Sequence, residues 1–597
     1  MGRKLNRKRT DIQIYRALAV VAVILYHTNQ ARFKYLYLGV DVFFVVSGYL
    51  MTILYLTTPY KIFIKKRLKR LLPSFILVTF FFWAIITVQT IPLELKRINF
   101  SLYSSYVGLS NLYFLTQQSY FDSSNYQPLL HLWSLSVEVQ FYALVPLVFL
   151  VYKKYGIKST YFTIIISFFT YLLTYFLLSE KIAFFSIFTR IWEFAFGIFA
   201  GLIYMRGRSS LLLRLNSGLL TLSVVLIALG VFLSVPYKAE YFRIVICIVV
   251  TLLLLKERRL SPGNKLIVLL VYIGNISYEL YLVHFPLKAV MSYEPLTSNQ
   301  SQVLQSMRSI MLYIALTVIL SISVHKIVLR LDRIDWVKGL SILVILTILA
   351  SSIIIFKPNL VYKPKEINLS KSLEDYDRRR CDWLAKLTNL TSLTCPVLEV
   401  DNPGKNILLV GDSFANSIKP LIKSFAKAHQ YDLYINENNS RLIEDSLEST
   451  FNIAKQIKTD LLILHSSKNI SRSEVNKINI LLAQNSKLRV VIIQPTPIFK
   501  FSIGKQVVNE SRNVSEPINV YPRDLQNFAD LVSPLENSLE RLRYIEIVPL
   551  LCPSYCPYSD KSGAALYFDF GHITNSGLKL LHPIDNQLQA ALKSSQN

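Results

Sequence analysis

Long apolar runs, separated by short basic connections, fill most of the chain before Lys357 and constrain its fold more than any other feature. The runs are long enough to cross a hydrocarbon layer, which takes roughly 20 residues of helix. Apolar and aromatic residues make up 52% of the 597 residues, and the mean hydropathy is +0.38, an average that soluble domains rarely reach. After Lys357 the chain is rich in charged residues, Asn and Ser, as water-soluble domains are. The pattern therefore predicts a multi-span α-helical membrane domain followed by a second domain.

Eleven membrane-spanning helices are predicted from these runs. Their predicted bounds are 11–28, 37–56, 72–92, 137–153, 160–178, 183–205, 216–235, 241–255, 266–289, 308–329 and 338–356. The predicted domains are a membrane domain over residues 1–335, an eleventh helix with a linker over 336–405, and a C-terminal domain over 406–597. The basic segment Met1–Arg9 runs into the first span without a small-residue cleavage site, so no cleavable signal peptide is predicted.

The charges of the connections predict the orientation of the spans. When the basic N-terminus is placed in the cytoplasm, every second connection is also basic, which is the pattern of cytoplasmic loops. The net charge of +27 therefore follows from membrane topology rather than from nucleic-acid binding, the other common reason for a basic chain. No nucleic-acid partner is expected. An odd number of spans places residues 357–597 outside the cytoplasm.

The cysteines fit an oxidising compartment. Cys247 lies within a predicted span, whereas Cys381, Cys395, Cys552 and Cys556 lie in the soluble part. Four such cysteines suggest two disulfides, for which Cys381–Cys395 and Cys552–Cys556 are the local choices. Free thiols, or a metal site at the C-x3-C pair, are the alternatives. No compact Cys/His zinc spacing accompanies that pair, so no metal is expected.

Ionisable residues inside a bilayer are costly and therefore mark candidate sites. Arg16 and His27 are eleven residues apart in the first span, so a helix places them on one face, roughly 16 Å apart along its axis. Asp41, at the outer end of the second span, is placed to orient His27. A snorkelling arginine and an interfacial histidine are the alternative interpretation of either residue alone.

Further polar residues flank the third and fourth spans. Arg67 and Arg70 lie on a basic cytoplasmic edge, which serves either as ordinary positive-inside charge or as a clamp for an anionic donor such as the phosphates of coenzyme A. His131, Ser134 and Glu138 lie in a polar, aromatic-rich segment that enters the fourth span from outside. These five residues are therefore candidates for a site in the membrane domain.

The membrane segments contain motifs that resemble the membrane acyltransferase-3 family. The motifs are Arg16-x10-His27, Gly39–Tyr49, Arg67-x2-Arg70-x2-Pro73, His131–Tyr142, Arg190-x-Trp192-Glu193, and Ile276-Ser277-Tyr278 with His284 at the outer end of the ninth span. The resemblance covers about residues 11–330 and implies acyl transfer from cytoplasmic acyl-CoA to extracytoplasmic carbohydrate. It also implies that Arg16, His27, Arg67 and Arg70 matter to activity, because they occupy matching motif positions.

The C-terminal domain is predicted to be an α/β domain. Its strand-like runs are Ile407–Val410, Asp432–Ile435, Leu461–Leu464, Arg489–Ile493 and Tyr544–Val548. They alternate with helical or looped segments, which predicts a parallel sheet with helices on both faces in a three-layer domain.

A candidate nucleophile follows the first of these strands. Ser413 ends the sequence Gly-Asp-Ser at a predicted strand-to-helix turn, where a serine is exposed and close to backbone N–H donors. Near the C-terminus, His572 can deprotonate Ser413, and Asp569 can hold the tautomer of the imidazole. A polar surface loop is the alternative interpretation of Asp569 and His572. Over about residues 405–595 the set resembles the SGNH hydrolase superfamily.

The sequence departs from that superfamily at the oxyanion hole. The usual Gly and Asn donors follow the second and third strands, yet no Gly lies between Ser413 and Gly504. Loss of one donor costs ~2.7–4 kcal/mol of transition-state stabilisation, so a substitute is expected. His465, or an Asn of segments 436–439 and 465–469, is the candidate.

Together, the two resemblances imply an acetyl relay at the bacterial cytoplasmic (inner) membrane. Acetyl-CoA is the expected donor substrate, held near Arg16, Arg67 and Arg70, and no bound cofactor is expected. The membrane domain, with His27, passes the acetyl group outward to Ser413. The expected acceptor is a surface glycan or lipid-linked glycan, with lipopolysaccharide O-antigen first and peptidoglycan as the alternative.

Three other functions are compatible with parts of the sequence. The membrane domain can acetylate the sugar itself, with a C-terminal domain that only positions or edits it. A membrane-anchored carbohydrate esterase needs only Ser413, Asp569 and His572, but one anchor span would suffice for it. A transporter with an inert outer domain leaves the Ser/Asp/His set without a role.

Overall fold

The computed structural model describes residues 9–116, 126–177, 180–206, 239–256, 264–293, 306–331, 336–374, 394–400, 404–437, 444–467, 470–499, 503, 507, 541–553, 556–568 and 571–593. The chain divides into two compact units. The membrane unit comprises Met1–Thr90 and Glu94–Lys357, and the C-terminal unit comprises Ile91–Leu93 and Pro358–Asn597.

The membrane unit is helical, because a helix satisfies the backbone hydrogen bonds of an apolar segment without help from water. The described helices are α1 (Thr10–Thr28), α2 (Gly39–Thr57), α3 (Tyr60–Gln89), α4 (Pro92–Tyr106), α5 (Ser110–Thr116), α6 (Leu132–Tyr155), α7 (Lys158–Leu177), α8 (Glu180–Phe185), α9 (Ile191–Met205), α10 (Ala239–Leu255), α11 (Lys265–Asn275), α12 (Ser277–Met291), α13 (Met307–Leu331) and α14 (Trp336–Phe356).

The predicted multi-span architecture is confirmed. Within the described ranges, six helices are long and apolar enough to cross a membrane, or seven if the bent pair α11–α12 is one span. The protein is therefore a multi-pass membrane protein. The count of eleven stays a prediction, since the predicted span 216–235 lies outside the described residues.

Two predicted spans differ from the structure in their shape. The predicted span 183–205 is interrupted between α8 and α9, where the Thr189 hydroxyl donates to the carbonyls of Ala183 at 2.9 Å and Ser186 at 2.8 Å. A side chain that satisfies the last carbonyls of a helix allows it to end inside an apolar region. The predicted span 266–289 is bent by 67° between α11 and α12.

The predicted outer connection 93–136 is not a simple loop. It contains most of α4, all of α5 and the start of α6, which begins at Leu132 rather than at residue 137. Large apolar side chains around the α4–α5 turn are exposed, notably Val107 and Leu109. The sequence obscured these helices because they are short and mix apolar with polar residues.

Glycine allows two helices of the membrane unit to pack backbone to backbone. A Cβ atom added to Gly197 of α9 would lie 1.9 Å from the carbonyl oxygen of Val45 in α2. A Cβ atom added to Gly48 of α2 would lie 2.1 Å from the carbonyl oxygen of Phe194 in α9. Small residues drive close helix packing in membranes, where apolar burial gives little advantage.

The C-terminal unit is an α/β domain, as predicted. Its described elements are α15 (Pro364–Glu374), β1 (Thr394–Leu398), β2 (Lys405–Gly411), α16 (Ser413–Ala428), β3 (Tyr431–Glu437), α17 (Glu444–Gln456), β4 (Thr459–Leu464), α18 (Arg472–Ala483), β5 (Arg489–Ile493), β6 (Leu542–Ile545), α19 (Val548–Leu551), α20 (Asn575–Leu578) and α21 (Ile584–Lys593).

The strands form one sheet in the order β1-β3-β2-β4-β5-β6. All neighbouring pairs are parallel except β1, which pairs antiparallel with β3. Residues 407–410 and 461–464 are at most 1% exposed. Successive residues of a strand point to opposite faces, so both faces of the sheet centre are covered, as parallel sheets require.

The predicted linker contributes to the C-terminal unit. β1 is an edge strand of the sheet, and Ser372 of α15 accepts a hydrogen bond from the backbone N–H of Ala565 at 2.8 Å. The predicted linker within residues 336–405 therefore includes a helix and a strand of the C-terminal unit. A five-residue strand and an eleven-residue helix leave too short a periodic pattern to be recognised.

One of the predicted disulfides is described in full. Cys552 and Cys556 form a disulfide. Cys395 is also disulfide-bonded, and Cys381 lies outside the described residues. Cys247 is a free, buried thiol in α10.

Candidate functional site

The first candidate site lies at the carboxyl end of β2, where Ser413 begins α16. β2 lies between β3 and β4, so the chain leaves β2 on one side and returns on the other. The carboxyl ends of parallel strands form a crevice at such a switch point, and α/β proteins bind ligands there. The fold therefore presents Ser413 where a ligand can reach it.

Ser413 is paired with a base. Its hydroxyl oxygen lies 2.6 Å from Nε2 of His572, within hydrogen-bonding distance, although the two residues are 159 positions apart. With Nε2 accepting, a neutral imidazole carries its proton on Nδ1, which is the arrangement of a general base beside its nucleophile. The structure thus brings together two of the three predicted residues. Asp569 lies outside the described residues.

Aromatic rings and a threonine position His572. Its ring centroid lies 4.2 Å from that of Phe414 and 5.0 Å from that of Phe568. The Thr496 hydroxyl donates to the carbonyl of Gly571 at 2.6 Å, next to His572 in the chain. Sequence reasoning missed these contacts, because they join residues from separate loops without a spacing signal.

Asp412 holds the turn that carries Ser413. Its carboxylate accepts from the backbone N–H of Phe414 at 2.9 Å, which caps the start of α16. It also accepts from the backbone N–H and the hydroxyl of Ser467, at 3.0 Å and 2.6 Å. Ser413 is thereby fixed at a helix N-terminus, whose free N–H groups favour developing negative charge.

Gly411 is required by a close approach of two strands. A Cβ atom at this position would lie 1.7 Å from the carbonyl oxygen of His465, which follows β4. The backbone N–H of His465 donates to the Val410 carbonyl at 3.1 Å. A side chain at position 411 would therefore push the end of β4 away from the Ser413 turn.

His465 does not meet the expectation of an oxyanion donor. Its Nδ1 donates to the carbonyl of Ile493 at 3.2 Å. Burial lowers the pKa of His465 to about 4, so the ring is neutral near pH 7. A neutral ring that donates through Nδ1 has no proton on Nε2. His465 is thus a hydrogen-bond acceptor at its free nitrogen, and the prediction was wrong for this residue.

The described asparagine near the site is committed elsewhere. Asn436 donates its amide to the hydroxyl of Thr394 at 2.6 Å, across the β1–β3 pair. Asn438, Asn439 and Asn469, the other asparagines named for this role, lie outside the described residues. The backbone N–H groups at the start of α16 stay the predicted oxyanion donors.

The second candidate site is a cavity of about 70 Å³ in the membrane unit. Five residues predicted from separate motifs line it: Arg16, Arg67, Arg70, Ser134 and Glu138. They come from α1, α3 and α6, and Ser47 of α2 also lines the cavity. Tertiary packing thus gathers side chains that the sequence distributes over more than a hundred residues.

The cavity carries excess positive charge. Among its lining residues, three guanidinium groups face one carboxylate, that of Glu138. Glu138 accepts short hydrogen bonds from the hydroxyls of Ser47 and Tyr142. Arg16 and Arg67 are each 8% exposed, and Nε of Arg67 has no hydrogen-bond partner among the described residues. Guanidinium groups in this setting suit phosphate or carboxylate ligands.

Three predicted histidines form a separate cluster. The ring of His284 lies 5.3 Å from that of His27 and 5.6 Å from that of His131. All three are buried, and Nδ1 of His284 is held by the Tyr281 carbonyl at 2.7 Å. Within the described part of the chain, Nδ1 of His27 and Nε2 of His284 have no hydrogen-bond partner.

Tyr281 connects the cavity with the histidine cluster. Its hydroxyl contacts the Ser134 hydroxyl at 2.7 Å and donates to the His131 carbonyl at 3.0 Å. Tyr281 and Ser134 both line the arginine cavity, and the Tyr281 ring lies 5.3 Å from that of His284. Sequence reasoning did not single out Tyr281, because a tyrosine in an apolar helix is not unusual.

Asp41 does not orient His27, contrary to the prediction. Its carboxylate binds Arg190 at 3.2 Å and Arg243 at 2.9 Å, and Arg190 also binds Glu193 at 2.8 Å. All four side chains are buried. Arginines on α10 and before α9 are stronger partners for a buried carboxylate than a neutral histidine is. Arg243 was missed, although a buried arginine within a span was a usable signal.

No described group of three or more His, Cys, Asp or Glu side chains is arranged to hold a metal ion.

Two family profiles match the chain. One, described as an acyltransferase domain, matches residues 9–326. The other, described as an SGNH domain fused to acyltransferase-3 domains, matches residues 380–585. The predicted family resemblances are therefore confirmed for both parts of the chain.

The chain is also similar to curated O-acetyltransferases. O-acetyltransferase OatA of Staphylococcus aureus (strain NCTC 8325) is 38% identical over 143 residues, covering 22% of this chain and 23% of that protein. A putative O-acetyltransferase of Staphylococcus aureus (strain COL) is 37% identical over 159 residues, covering 24% of this chain and 25% of that protein. The matched region thus spans about a quarter of these relatives.

One solved structure is similar in part. It is the periplasmic domain of a lipopolysaccharide acetyltransferase from Salmonella ser. Paratyphi A, at 16% identity, covering 38% of this chain and 98% of that domain. Its TM-score is 0.28, so no argument rests on it.

Proposed function

Because the chain belongs to the membrane acyltransferase family whose profile matches residues 9–326, we propose that it transfers an acetyl group from cytoplasmic acetyl-CoA to hydroxyl groups of a bacterial cell-surface polysaccharide. The observation that carries the proposal is the 2.6 Å hydrogen bond between Ser413 and His572. The chain holds both a nucleophile with its base and a cationic cavity in the membrane unit. This combination suits the transfer of an acetyl group that is received from one compartment and delivered in another.

The donor binds at the cytoplasmic end of the arginine cavity. Arg67 and Arg70 lie where the basic connections place the cytoplasm, and Arg16 faces the same cavity. Guanidinium groups pair with the phosphates of coenzyme A. The acetyl group then lies toward Ser134 and Tyr281, beyond which the histidine cluster begins.

The histidine cluster carries the outward part of the transfer. His27 and His284 each present an unpartnered ring nitrogen, at least among the described residues, that can accept or hold a proton during acyl transfer. Asp41 has no part in this step, because its carboxylate is occupied by two arginines. The odd number of predicted spans puts the C-terminal unit outside the cytoplasm, on the side to which the acetyl group moves.

The last steps take place at Ser413. The Ser413 oxygen attacks the acetyl carbonyl and forms an ester, while its proton passes to His572 and from there to the departing acetyl carrier. A sugar hydroxyl then gives its proton to His572 and attacks that ester, which forms the sugar acetate, and His572 returns the proton to the Ser413 oxygen. Lipopolysaccharide O-antigen is the first acceptor to test, and peptidoglycan is the second.

The test is the acetyl content of surface glycans in strains that carry single substitutions. Ser413→Ala and His27→Ala should each abolish the acetylation that the wild-type protein supports, as measured by mass spectrometry of purified O-antigen and peptidoglycan. Ser417→Ala is the matched control, since this hydroxyl lies one turn further along α16 and donates to the Phe414 carbonyl at 2.7 Å.

Other outcomes identify the rival functions. Increased acetylation with Ser413→Ala indicates an esterase. Loss with His27→Ala but not with Ser413→Ala indicates that the membrane unit acetylates the sugar itself. Unchanged acetylation with both substitutions indicates a transporter.

A further inference from the structure

A second cavity of about 420 Å³ adjoins the arginine cavity. It lies between α3 and α6, beside the turn that joins α4 to α5. The two cavities share a wall that includes Arg67, Leu71, Glu138 and Tyr142. We call this second cavity the side chamber.

The side chamber is lined mainly by apolar side chains. Those that belong to it and not to the arginine cavity include Ile64, Leu68, Leu72, Leu132, Val139 and Ala143. They come from helices α3 and α6. Its lining therefore offers an alkyl group many contacts and offers an ion none, except at the wall shared with the arginine cavity.

Away from the wall shared with the arginine cavity, Ser105 and Ser136 are already bonded to other residues, and so is Tyr278 on the shared wall. Ser105 donates to the Ser101 carbonyl at 2.7 Å, and the Ser136 hydroxyl lies 2.7 Å from that of Ser110. The Tyr278 hydroxyl donates to the Leu71 carbonyl at 3.2 Å. A ligand rich in amides, such as the pantetheine arm, would leave its polar groups unpaired there. An alkyl chain has no such cost.

The mouth of the chamber is bordered by exposed apolar side chains. Leu68, Val107 and Val139 are 45%, 68% and 47% exposed, and each lies on the chamber wall. Exposed apolar side chains on a membrane unit suit contact with hydrocarbon. A chain longer than the chamber can therefore pass these side chains without leaving apolar surroundings.

We propose that the side chamber binds the alkyl tail of an acyl-CoA donor, so that the protein accepts acyl groups longer than acetyl. The inference rests on the proposed function, in which the arginine cavity holds coenzyme A. It extends that function, because an acetyl group fills only a small part of 420 Å³. The donor is favoured over a membrane lipid because the wall shared by the two cavities also includes Leu135, which is next to Ser134, the residue toward which the acyl end of the donor points.

The experiment measures binding of acetyl-CoA, butyryl-CoA and octanoyl-CoA to the purified full-length protein in lipid nanodiscs. Each buried methylene strengthens binding, so octanoyl-CoA should bind about tenfold or more tightly than acetyl-CoA. Val139→Trp places a large ring at the mouth of the chamber. It should bring octanoyl-CoA back to the affinity of acetyl-CoA and leave acetyl-CoA unchanged.

Leu147→Trp is the matched control. Leu147 is also an exposed apolar residue of α6 and does not line the chamber, so its replacement should leave the chain-length preference unchanged. Equal affinity of the wild-type protein for all three compounds overturns the inference. An equal effect of Val139→Trp on the binding of all three compounds also overturns it. If Val139→Trp only reduces the amount of co-purified phospholipid, the chamber holds a lipid tail and the inference is again overturned. Binding of none of the three overturns the proposed donor itself.

Discussion

The candidate sites of the two units hold their polar groups in different ways. In the C-terminal unit, Ser413 and His572 bond to each other, and Asp412 accepts three hydrogen bonds. In the membrane unit, nitrogens of Arg67, His27 and His284 have no hydrogen-bond partner among the described residues. An unpartnered buried polar atom costs about 1–3 kcal/mol, which a polar substrate can recover on binding.

This difference follows from the solvent of each unit. A sheet fixes the direction in which β2 ends, so one helix cap and one loop suffice to aim Ser413 at a substrate that arrives through water. In the membrane unit, polar side chains of different helices face one another. No backbone hydrogen bonds between those helices fix the positions of the side chains, as the strand ladder does in a sheet. The C-terminal site is therefore preorganised by hydrogen bonds, and the membrane site by packing around its charges.

The largest expected effect separates the two sites chemically. With p-nitrophenyl acetate and the purified full-length protein, His572→Ala should lower ester cleavage by about 10²–10⁴-fold, because Ser413 loses its base. His27→Ala should leave this cleavage unchanged while it abolishes acetyl transfer from acetyl-CoA. If His27→Ala slows ester cleavage as much as His572→Ala does, the two sites do not act separately.

The second effect concerns the buried charges of the membrane unit. Arg190→Leu leaves Asp41 with one partner and Glu193 without its 2.8 Å bond, and breaking a buried pair costs about 3–5 kcal/mol. Thermal unfolding in detergent should show a large loss of stability. The control Arg206→Leu removes a bond between an exposed arginine and Tyr152, and should change stability by less than about 0.5 kcal/mol. Equal shifts for both variants would contradict this assignment.

The third effect is a pH dependence of the C-terminal unit. The pKa of His465 is about 4 in the folded chain and about 6.5 in an unfolded one, so the unfolded chain binds the extra proton as the pH falls below 6.5. The free energy of unfolding of the C-terminal unit is therefore highest above pH 6.5. It falls toward pH 4, with a slope of at most about 1.4 kcal/mol per pH unit.

Hydrogen exchange of β4 and β5 in the full-length protein measures this slope. Expressed as free energies of opening, the values should fall between pH 6.5 and 4.5 in the wild-type protein. His465→Gln should flatten that fall. A slope that persists in His465→Gln must come from another group.

The smallest effect tests the fine positioning of His572. Thr496→Val removes the 2.6 Å bond to Gly571 and should cost about 0.5–1.5 kcal/mol. Ester cleavage by Ser413 should slow several-fold with little change in KM. The control Ser424→Ala removes an exposed hydroxyl bonded to the Pro420 carbonyl and should have no effect. A change in KM alone would assign Thr496 to substrate binding.

Local patterns were sufficient for much of the C-terminal unit. Four apolar runs predicted β2, β3, β4 and β5 within two residues at either end, because a strand buried on both faces reads as a continuous apolar stretch. β1 and α15 were missed, since an edge strand and a short helix lack that signal. Ser413 and His572 were paired correctly from their residue types and the strand-to-helix turn alone.

The membrane unit shows where local patterns stop. Charge alternation and apolar length predicted a multi-span protein, and the motif spacing pointed to the residues that line the arginine cavity. The partner of Asp41 was not predictable, because Arg190 and Arg243 approach it from 149 and about 200 positions further along the chain. Contacts between distant helices depend on packing that no local period records.

By itself, the sequence determined that this protein has apolar helices in a membrane, a mostly parallel sheet, and a serine at the end of its first parallel strand. Apolar length, charge alternation and strand period are properties of neighbouring residues, so a linear pattern suffices for them. Only the tertiary structure decided that Asp41 binds arginines rather than His27, that His465 accepts rather than donates, and that a side chamber adjoins the arginine cavity. Each of these three findings depends on which side chains face one another across helices or strands. The free energy of burying charge and filling space decides which side chains meet, and it does so only when the whole unit has packed.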